Sequence, residues 1–186
     1  MLLNFCLVGG NFMVKTSWPF VEWTELIGEK GVKRLVVREE VLIGDDVVGN
    51  MDTLTKVEIF SSLFKPHALS IKGEKVRGII AEDREEEYFY HALFEDAHVE
   101  EKFELETIID GESTRETLKE DGYYSNFAWN TQHVQRIVFP KGWKILSAIP
   151  KGYVIETFRG LPSIKWNRNG KFWGDVQVKV KKSLAN

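Results

Sequence analysis

The chain has 186 residues, of which 43% are apolar and 12% aromatic, and its formal net charge is −3. This length and composition suffice for a sizeable hydrophobic core, which excludes a disordered protein. No apolar run approaches the roughly 20 residues that span a bilayer, and the single cysteine, Cys6, excludes an intramolecular disulfide. We therefore expect a soluble, cytoplasmic protein without a membrane partner, folded as one domain over residues 1–186. Residues 1–81 and 82–186 are the alternative division.

The first predicted element is a short helix over residues 17–30. Ser17 is a good helix-capping residue, and Pro19 suits a first helical turn. Apolar residues recur there at helical spacing: Phe20, Trp23, Leu26 and Ile27. Residues 33–43, rich in Val, Leu and Ile, predict a strand. Residues 52–64 fit both a capped helix and a strand, and their β-branched side chains favour the strand.

Short strands and alternation dominate the middle of the chain. Strands are predicted over three ranges: residues 68–71, 76–81 and 88–94. Residues 97–107 then alternate between an apolar face, on which Glu101 is the exception, and a charged face. This pattern predicts a strand with one buried side. The acidic run over residues 110–122 has little periodicity, and we expect it to be the longest loop.

The C-terminal part contains an internal repeat. The apolar-Pro-Lys-Gly-aromatic pattern of residues 139–145 returns in residues 149–155, and residues 167–170 offer a third turn. Proline fixes φ and glycine supplies a left-handed residue, so both repeats predict tight turns between antiparallel strands. Lysines on the final strand suit an edge that is protected from pairing. The prediction is a mainly β protein, an antiparallel β-sandwich or barrel-like fold, with a short N-terminal helix and a C-terminal β-meander over residues 134–180.

The charges fall into two blocks of opposite sign. Residues 82–121 hold sixteen acids against four bases, and residues 122–186 hold eleven Lys and Arg against two acids. Such blocks favour contacts with a surface of opposite sign, in the same chain or in a neighbouring copy. Abundant Glu and Lys beside three Gln is also typical of proteins from hot environments.

No catalytic motif is found in the sequence. There is no serine elbow, no phosphate-binding glycine loop and no cysteine–histidine signature. His98 and Glu100 are weak candidates for a metal site, since alternate strand residues share a face and Asp96 and His91 lie nearby. His91 is an odd number of residues from His98, which sends the two side chains to opposite faces of a regular strand. We expect no metal and no cofactor.

Aromatic residues interleaved with basic ones form the best candidate for a ligand site. The candidates lie in the basic block: Trp129, Trp143, Tyr153, Trp166, Trp173, Arg136 and Lys144. Rings and cations together stack bases or sugars and neutralise phosphates, so single-stranded nucleic acid and carbohydrate are weaker candidates as ligands. Strands also use aromatic residues to build cores, and a pI near 5.9 argues against nucleic acid. The core interpretation is the stronger of the two.

These observations favour a non-enzymatic binding or assembly module. Its acidic surface (residues 82–121) and its basic, aromatic surface (residues 122–186) would contact a protein partner or a second copy of the chain, giving a homo-oligomer. The alternative is an enzyme or small-ligand carrier with an aromatic-lined pocket, acting for example on carbohydrate, with carboxylates as acid and base. A deep pocket holding two such carboxylates would favour the alternative.

Overall fold

A computed structural model describes most of the chain: residues 6–8, 11–13, 16–28, 31–44, 50–51, 54–85, 87–113, 117–119, 122–129 and 131–183. Within these ranges the chain forms seventeen strands and no helix. The prediction of a mainly β protein is therefore confirmed. In the same ranges, no helix exists that is long and apolar enough to cross a membrane.

The strands are assembled into four sheets. In chain order the strands are β1 (Cys6–Val8), β2 (Asn11–Met13), β3 (Ser17–Ile27), β4 (Val32–Leu42), β5 (Asn50–Met51), β6 (Leu54–Ser62), β7 (Phe64–Gly73), β8 (Val76–Arg84), β9 (Glu87–Glu95), β10 (Lys102–Ser113), β11 (Thr117–Lys119), β12 (Gly122–Trp129), β13 (Gln132–Val138), β14 (Trp143–Ile149), β15 (Tyr153–Phe158), β16 (Leu161–Arg168) and β17 (Phe172–Lys182). Seven of them form the large sheet, in the order β15-β16-β13-β3-β4-β10-β7. The β17 sheet has the order β11-β12-β17-β14, the β9 sheet has the order β5-β6-β9-β8, and β1 pairs with β2.

Antiparallel pairing dominates the described strands. The exception among them is β13, which runs parallel to β3. None of the sheets formed by the described residues closes into a barrel, so the barrel-like alternative is not supported. Strands from residues 1–81 and from residues 82–186 lie side by side in the large sheet.

Alternation gives the large sheet a buried inner side and a solvent-facing outer side. On β10 the predicted inner residues Phe103, Leu105 and Thr107 are buried, as is Ile109. Lys102 and Glu104 are exposed on the other side, as the sequence predicted. The predicted strand is wrong over residues 97–101, which precede β10 and include the exposed Val99. Glu101 lies just before the strand, where Lys75 Nζ donates to its Oε1 at 2.8 Å. It is therefore a half-buried turn residue and not an exception on the inner side.

The predicted N-terminal helix is wrong, because residues 17–27 form β3. Val21 and Trp23 are buried on the inner side, whereas Phe20 and Glu22 are only partly buried. Both sides of this strand carry apolar residues. Taken together along the sequence, the apolar residues of the two sides recur at a spacing that resembles a helical period. β13 and β4 flank the strand on its two sides, and this tertiary pairing decides its conformation.

The predicted acidic loop is also wrong over the residues that the structure describes. β10 continues to Ser113 and β11 covers Thr117–Lys119, while residues 114–116 and 120–121 lie outside the described part. Asp110 stands opposite Arg34 of β4, and the two side chains form an ion pair at 2.5 Å. A neighbouring strand that supplies cations allows an acidic run to extend a strand.

The C-terminal meander is wrong in its pairing, although its turn residues behave as predicted. Gly142 and Gly152 have φ values of 86° and 88°, in the left-handed region. These turns connect strands of different sheets, because β13 and β15 belong to the large sheet and β14 to the β17 sheet. β17 lies between β12 and β14, so the final strand is not an edge. Turn chemistry sets a change of direction, but it does not choose the next pairing partner.

The inner sides of the sheets pack against one another. Trp23 of β3 meets Phe60 of β6 edge to face, with ring centroids 5.6 Å apart. The hydroxyl of Tyr123, on β12, donates to the buried carboxylate of Glu25 on β3. The β9 sheet and the β17 sheet therefore both cover the inner side of the large sheet, and the core lies between them.

Candidate functional site

The predicted aromatic candidates that can be described contribute to the core. Trp166 is 1% exposed, and its Nε1 donates to the carbonyl oxygen of Pro150 at 2.9 Å. Tyr153 packs edge-on against Trp166 at 6.0 Å, and Trp143 is a partly buried neighbour of the core. The side chains of Trp129 and Trp173 lie outside the described part of the structure. The described rings therefore pack in or against the hydrophobic core and do not form an open surface for stacking a ligand.

Arg136 projects from the outer side of β13 and is held by two carboxylates. Its Nε donates to Glu156 Oε1 at 3.0 Å, and its Nη1 donates to Glu22. Burial alone would raise the pKa of Glu156, but hydrogen bonds from Arg136 and Lys165 outweigh it and lower that pKa. The guanidinium also lies over the ring of Phe158 at 4.6 Å. Arg136 is thus part of an ion-pair network, with 11% of its side chain exposed.

The network continues along the outer side of the large sheet, beside a shallow depression of about 470 Å³. Arg38 lies 3.6 Å from Glu22 and 2.7 Å from Glu106. Lys102 Nζ lies 2.7 Å from Glu40. Glu22, Glu40 and Glu106 therefore bind cations of neighbouring strands, whereas Glu104, which also lines the depression, forms no ion pair with the described residues. A single unpaired carboxylate on this side does not supply the pair of acid and base that a hydrolytic site needs.

Lys144 lies on a different surface, the outer side of the β17 sheet. It stands directly opposite Lys181 of β17. Lys179, two residues before Lys181, lies on the same side of that strand. Leu146 and Ile149 of β14 are 53% and 59% exposed. We call the surface formed by these five residues the basic face.

The basic face is not neutralised by the described part of the chain. None of the ion pairs formed by the described residues includes Lys144, Lys179 or Lys181. Like charges directly opposite each other on neighbouring strands destabilise a sheet. The pair of Lys144 and Lys181 therefore has no stabilising role among the described residues of the chain.

The acids of residues 82–121 form ion pairs with Lys and Arg residues from the first half of the chain. The described pairs with Lys or Arg are Asp110 with Arg34, Glu106 with Arg38, Glu82 with Lys56 and Arg84, Glu101 with Lys75, and Glu95 with Arg77. Among the described residues, no ion pair joins an acid of residues 82–121 to a base of residues 122–186. The two blocks therefore do not neutralise each other within the described chain.

The residues weighed for a metal site lie in different surroundings, His91 in a buried strand and His98 and Glu100 in exposed turns. His91 is fully buried on β9, and burial lowers its pKa. His98 and Glu100 are exposed in the turns before β10, where His98 lies 3.4 Å from Asp96. Within the described ranges, no three His, Cys, Asp or Glu side chains are placed to hold a metal ion.

Sequence reasoning missed a set of buried polar groups on the inner side of the large sheet. Glu39, Thr107 and Gln135 are between 0% and 2% exposed, and their side chains have no hydrogen-bond partner among the described residues. Burial raises the pKa of the Glu39 carboxyl well above its usual value. The burial of Glu39 could have been predicted from the sequence, because alternate residues of β4 are apolar and Glu39 lies among them, between Val37 and Val41.

Comparisons with known proteins give no relative from which a role could be carried over. No family model matches this chain, and neither a curated protein nor a solved structure matches it.

Proposed function

We propose that the protein is a non-enzymatic binding or assembly module built on a β-sandwich, and that its basic face receives an acidic protein surface. The observation that carries the proposal is the direct cross-strand pairing of Lys144 with Lys181. An anionic partner would turn this repulsion into two favourable contacts.

The composition of the basic face supports a protein partner. Leu146 and Ile149 expose more than half of their side chains beside the lysines. An apolar patch rimmed by charges of one sign is typical of protein interaction sites. The lysines would orient the partner, and the apolar side chains would be buried on contact.

A second copy of the chain is the first partner to consider. Glu100 and Glu104 are exposed near the start of β10, and neither forms an ion pair with the described residues. Residues 82–121 as a whole carry a large excess of acids. Pairing this acidic end with the basic face of another copy would neutralise both surfaces.

Light scattering after size-exclusion chromatography tests this proposal at about 0.05 M and about 0.5 M NaCl. We expect an oligomer at low salt that dissociates at high salt, since exposed charges are screened. A Lys144→Glu, Lys181→Glu double variant should remain monomeric at low salt. Lys65→Glu is the matched control, because Lys65 is also an exposed strand lysine but lies on β7. A monomer at both salt concentrations contradicts self-association through the basic face.

A small-ligand carrier is the second candidate, and the buried polar groups favour it. Each unpaired buried polar group lowers the free energy of unfolding by roughly 1–3 kcal/mol. Glu39, Thr107 and Gln135 therefore destabilise the fold unless a bound ligand supplies hydrogen-bond partners. Mass spectrometry of the purified protein under native conditions tests this candidate. A retained small molecule that is lost in Glu39→Met would support it, and an unchanged mass equal to that of the chain would contradict it.

A further inference from the structure

β15 forms an edge of the large sheet. Within the described part of the chain, it pairs with β16 alone. In an antiparallel pair, alternate residues direct their N–H and C=O groups away from the partner strand. The outer edge of β15 therefore offers a row of backbone donors and acceptors to another strand.

This edge is apolar on both of its sides. Val154 and Ile155 are 55% and 49% exposed, and as consecutive strand residues they point in opposite directions. The acid of the strand, Glu156, is bound to Arg136 and Lys165 on its own sheet. The strand thus has neither a lysine nor a proline to discourage pairing.

The opposite edge of the same sheet shows the protection that β15 lacks. β7 carries Lys65, Pro66 and Lys72, the first and last of them exposed. Lysine and proline are the usual means by which sheets prevent pairing at an edge. The contrast marks β15 as the open edge of the large sheet.

Positive charges stand at both ends of β15. Lys151 precedes it and Arg159 follows it, and both side chains are exposed and without an ion pair among the described residues. At about 3.3 Å per residue, β15 itself spans roughly 17 Å, and Lys151 and Arg159 lie just beyond its two ends. A second β15 added in the antiparallel direction would place Lys151 of one copy near Arg159 of the other. This like-charge contact disfavours a second copy at this edge.

We infer that β15 accepts, as an additional strand, an extended peptide segment that is apolar in its middle and acidic at both ends. Its main chain would hydrogen-bond to the open edge, its apolar side chains would cover Val154 and Ile155, and its acids would contact Lys151 and Arg159. The inference goes beyond the proposed function, because the basic face belongs to the β17 sheet and this edge belongs to the large sheet.

Fluorescence anisotropy with a labelled synthetic peptide, Glu-Ser-Val-Thr-Val-Thr-Val-Ser-Glu, tests the inference. We expect saturable binding. The same peptide with every backbone nitrogen between its two terminal Glu residues methylated keeps its side chains but has no backbone donors along either edge, and it should bind at least about tenfold more weakly. A peptide with Lys at both ends should be weakened similarly. Equal binding of the methylated peptide, or no binding of the parent peptide, overturns the inference.

Protein variants locate the binding on β15. Val154→Lys and Ile155→Lys should each weaken peptide binding about tenfold or more, whereas Val99→Lys, at a residue that is 44% exposed outside the strands, should not. Amide hydrogen exchange of residues 153–158 should slow when the peptide binds. Unchanged affinity in both β15 variants overturns the inference. Self-association that the peptide blocks and Val154→Lys abolishes would also overturn it, because a second copy would then occupy the edge.

Failure of this inference is distinguishable from failure of the proposed function. Salt-sensitive association that depends on Lys144 and Lys181 would remain in a protein whose β15 binds no peptide. Peptide binding at β15 would likewise persist in the Lys144→Glu, Lys181→Glu variant if the edge acts by itself.

Discussion

The Tyr123 hydroxyl donates to Glu25 Oε2 at 2.8 Å, and this buried bond joins β12 of the β17 sheet to β3 of the large sheet. The other carboxylate oxygen of Glu25 accepts from Trp23 Nε1 at 2.9 Å. The two bonds let a carboxylate lie in the core at 2% exposure. A hydrogen-bonded polar group thus links the two sheets within the core.

Tyr123→Phe is expected to lower the free energy of unfolding by about 1–3 kcal/mol, since a buried carboxylate oxygen loses a donor. Urea denaturation measures the change. Tyr153→Phe is the control, because the Tyr153 hydroxyl forms no hydrogen bond with the described residues, and this variant should be nearly neutral. Equal stability of the two variants would contradict a role for the Tyr123 bond.

Glu39→Gln should change how stability depends on pH. The folded-state pKa of Glu39 is raised above the usual value of 4.5, so the folded protein holds this proton more tightly than the unfolded chain does. The contribution of Glu39 to stability is therefore present below about pH 4.5 and is lost as pH rises through the raised pKa. The variant lacks this loss, and its stability relative to the parent protein should increase as pH rises from about 4.5. Urea denaturation at several pH values measures the difference. A difference that is constant over this pH range would contradict the assignment.

Arg136→Met should destabilise the protein by about 1–3 kcal/mol, a value reduced for partial solvent exposure, because Glu22 and Glu156 would lose a shared cation on the outer side of the large sheet. Thermal unfolding monitored by circular dichroism measures the change. Lys144→Met removes an exposed cation without an ion pair among the described residues, and it should change stability by no more than about 0.5 kcal/mol. A neutral Arg136→Met variant would show that the network adds no net stability.

Lys181→Glu should stabilise the monomer slightly at low salt, by at most about 0.5 kcal/mol, because repulsion with Lys144 becomes attraction. The gain should shrink as salt is added. Lys144→Glu combined with Lys181→Glu restores a pair of like charges and should lose the gain. Denaturation at two salt concentrations compares the three proteins, each kept dilute enough to be monomeric. Destabilisation by the single substitution would contradict direct pairing of the two side chains.

Alternation in the sequence predicted β10 over residues 102–107, where inner and outer residues differ clearly in polarity, but it missed the continuation of the strand to Ser113. Applied to β4, the same rule would have identified Glu39 as an acid on the apolar side of that strand. It failed for β3, whose outer side also carries an apolar residue, Phe20. There the neighbouring strands decide the conformation, and they come from distant parts of the chain.

The basic face was only partly predictable for the same reason. Lys144 was a candidate because of its charge and its aromatic neighbours in sequence. Its contact with Lys181 depends on the pairing of β14 with β17, and no local pattern encodes that pairing. The edge position of β15 likewise follows from the order of strands in the sheet, which the turns around Gly142 and Gly152 do not determine.

The central place of β17 has a consequence for the order in which the protein is made. β12 and β14 leave the ribosome before the strand that lies between them, and each lacks this neighbour until residues 172–182 have been synthesised. The basic face, which needs both β14 and β17, can therefore form only after residues 172–182 have left the ribosome. A nascent chain that has not yet reached β17 has no such surface to engage a partner.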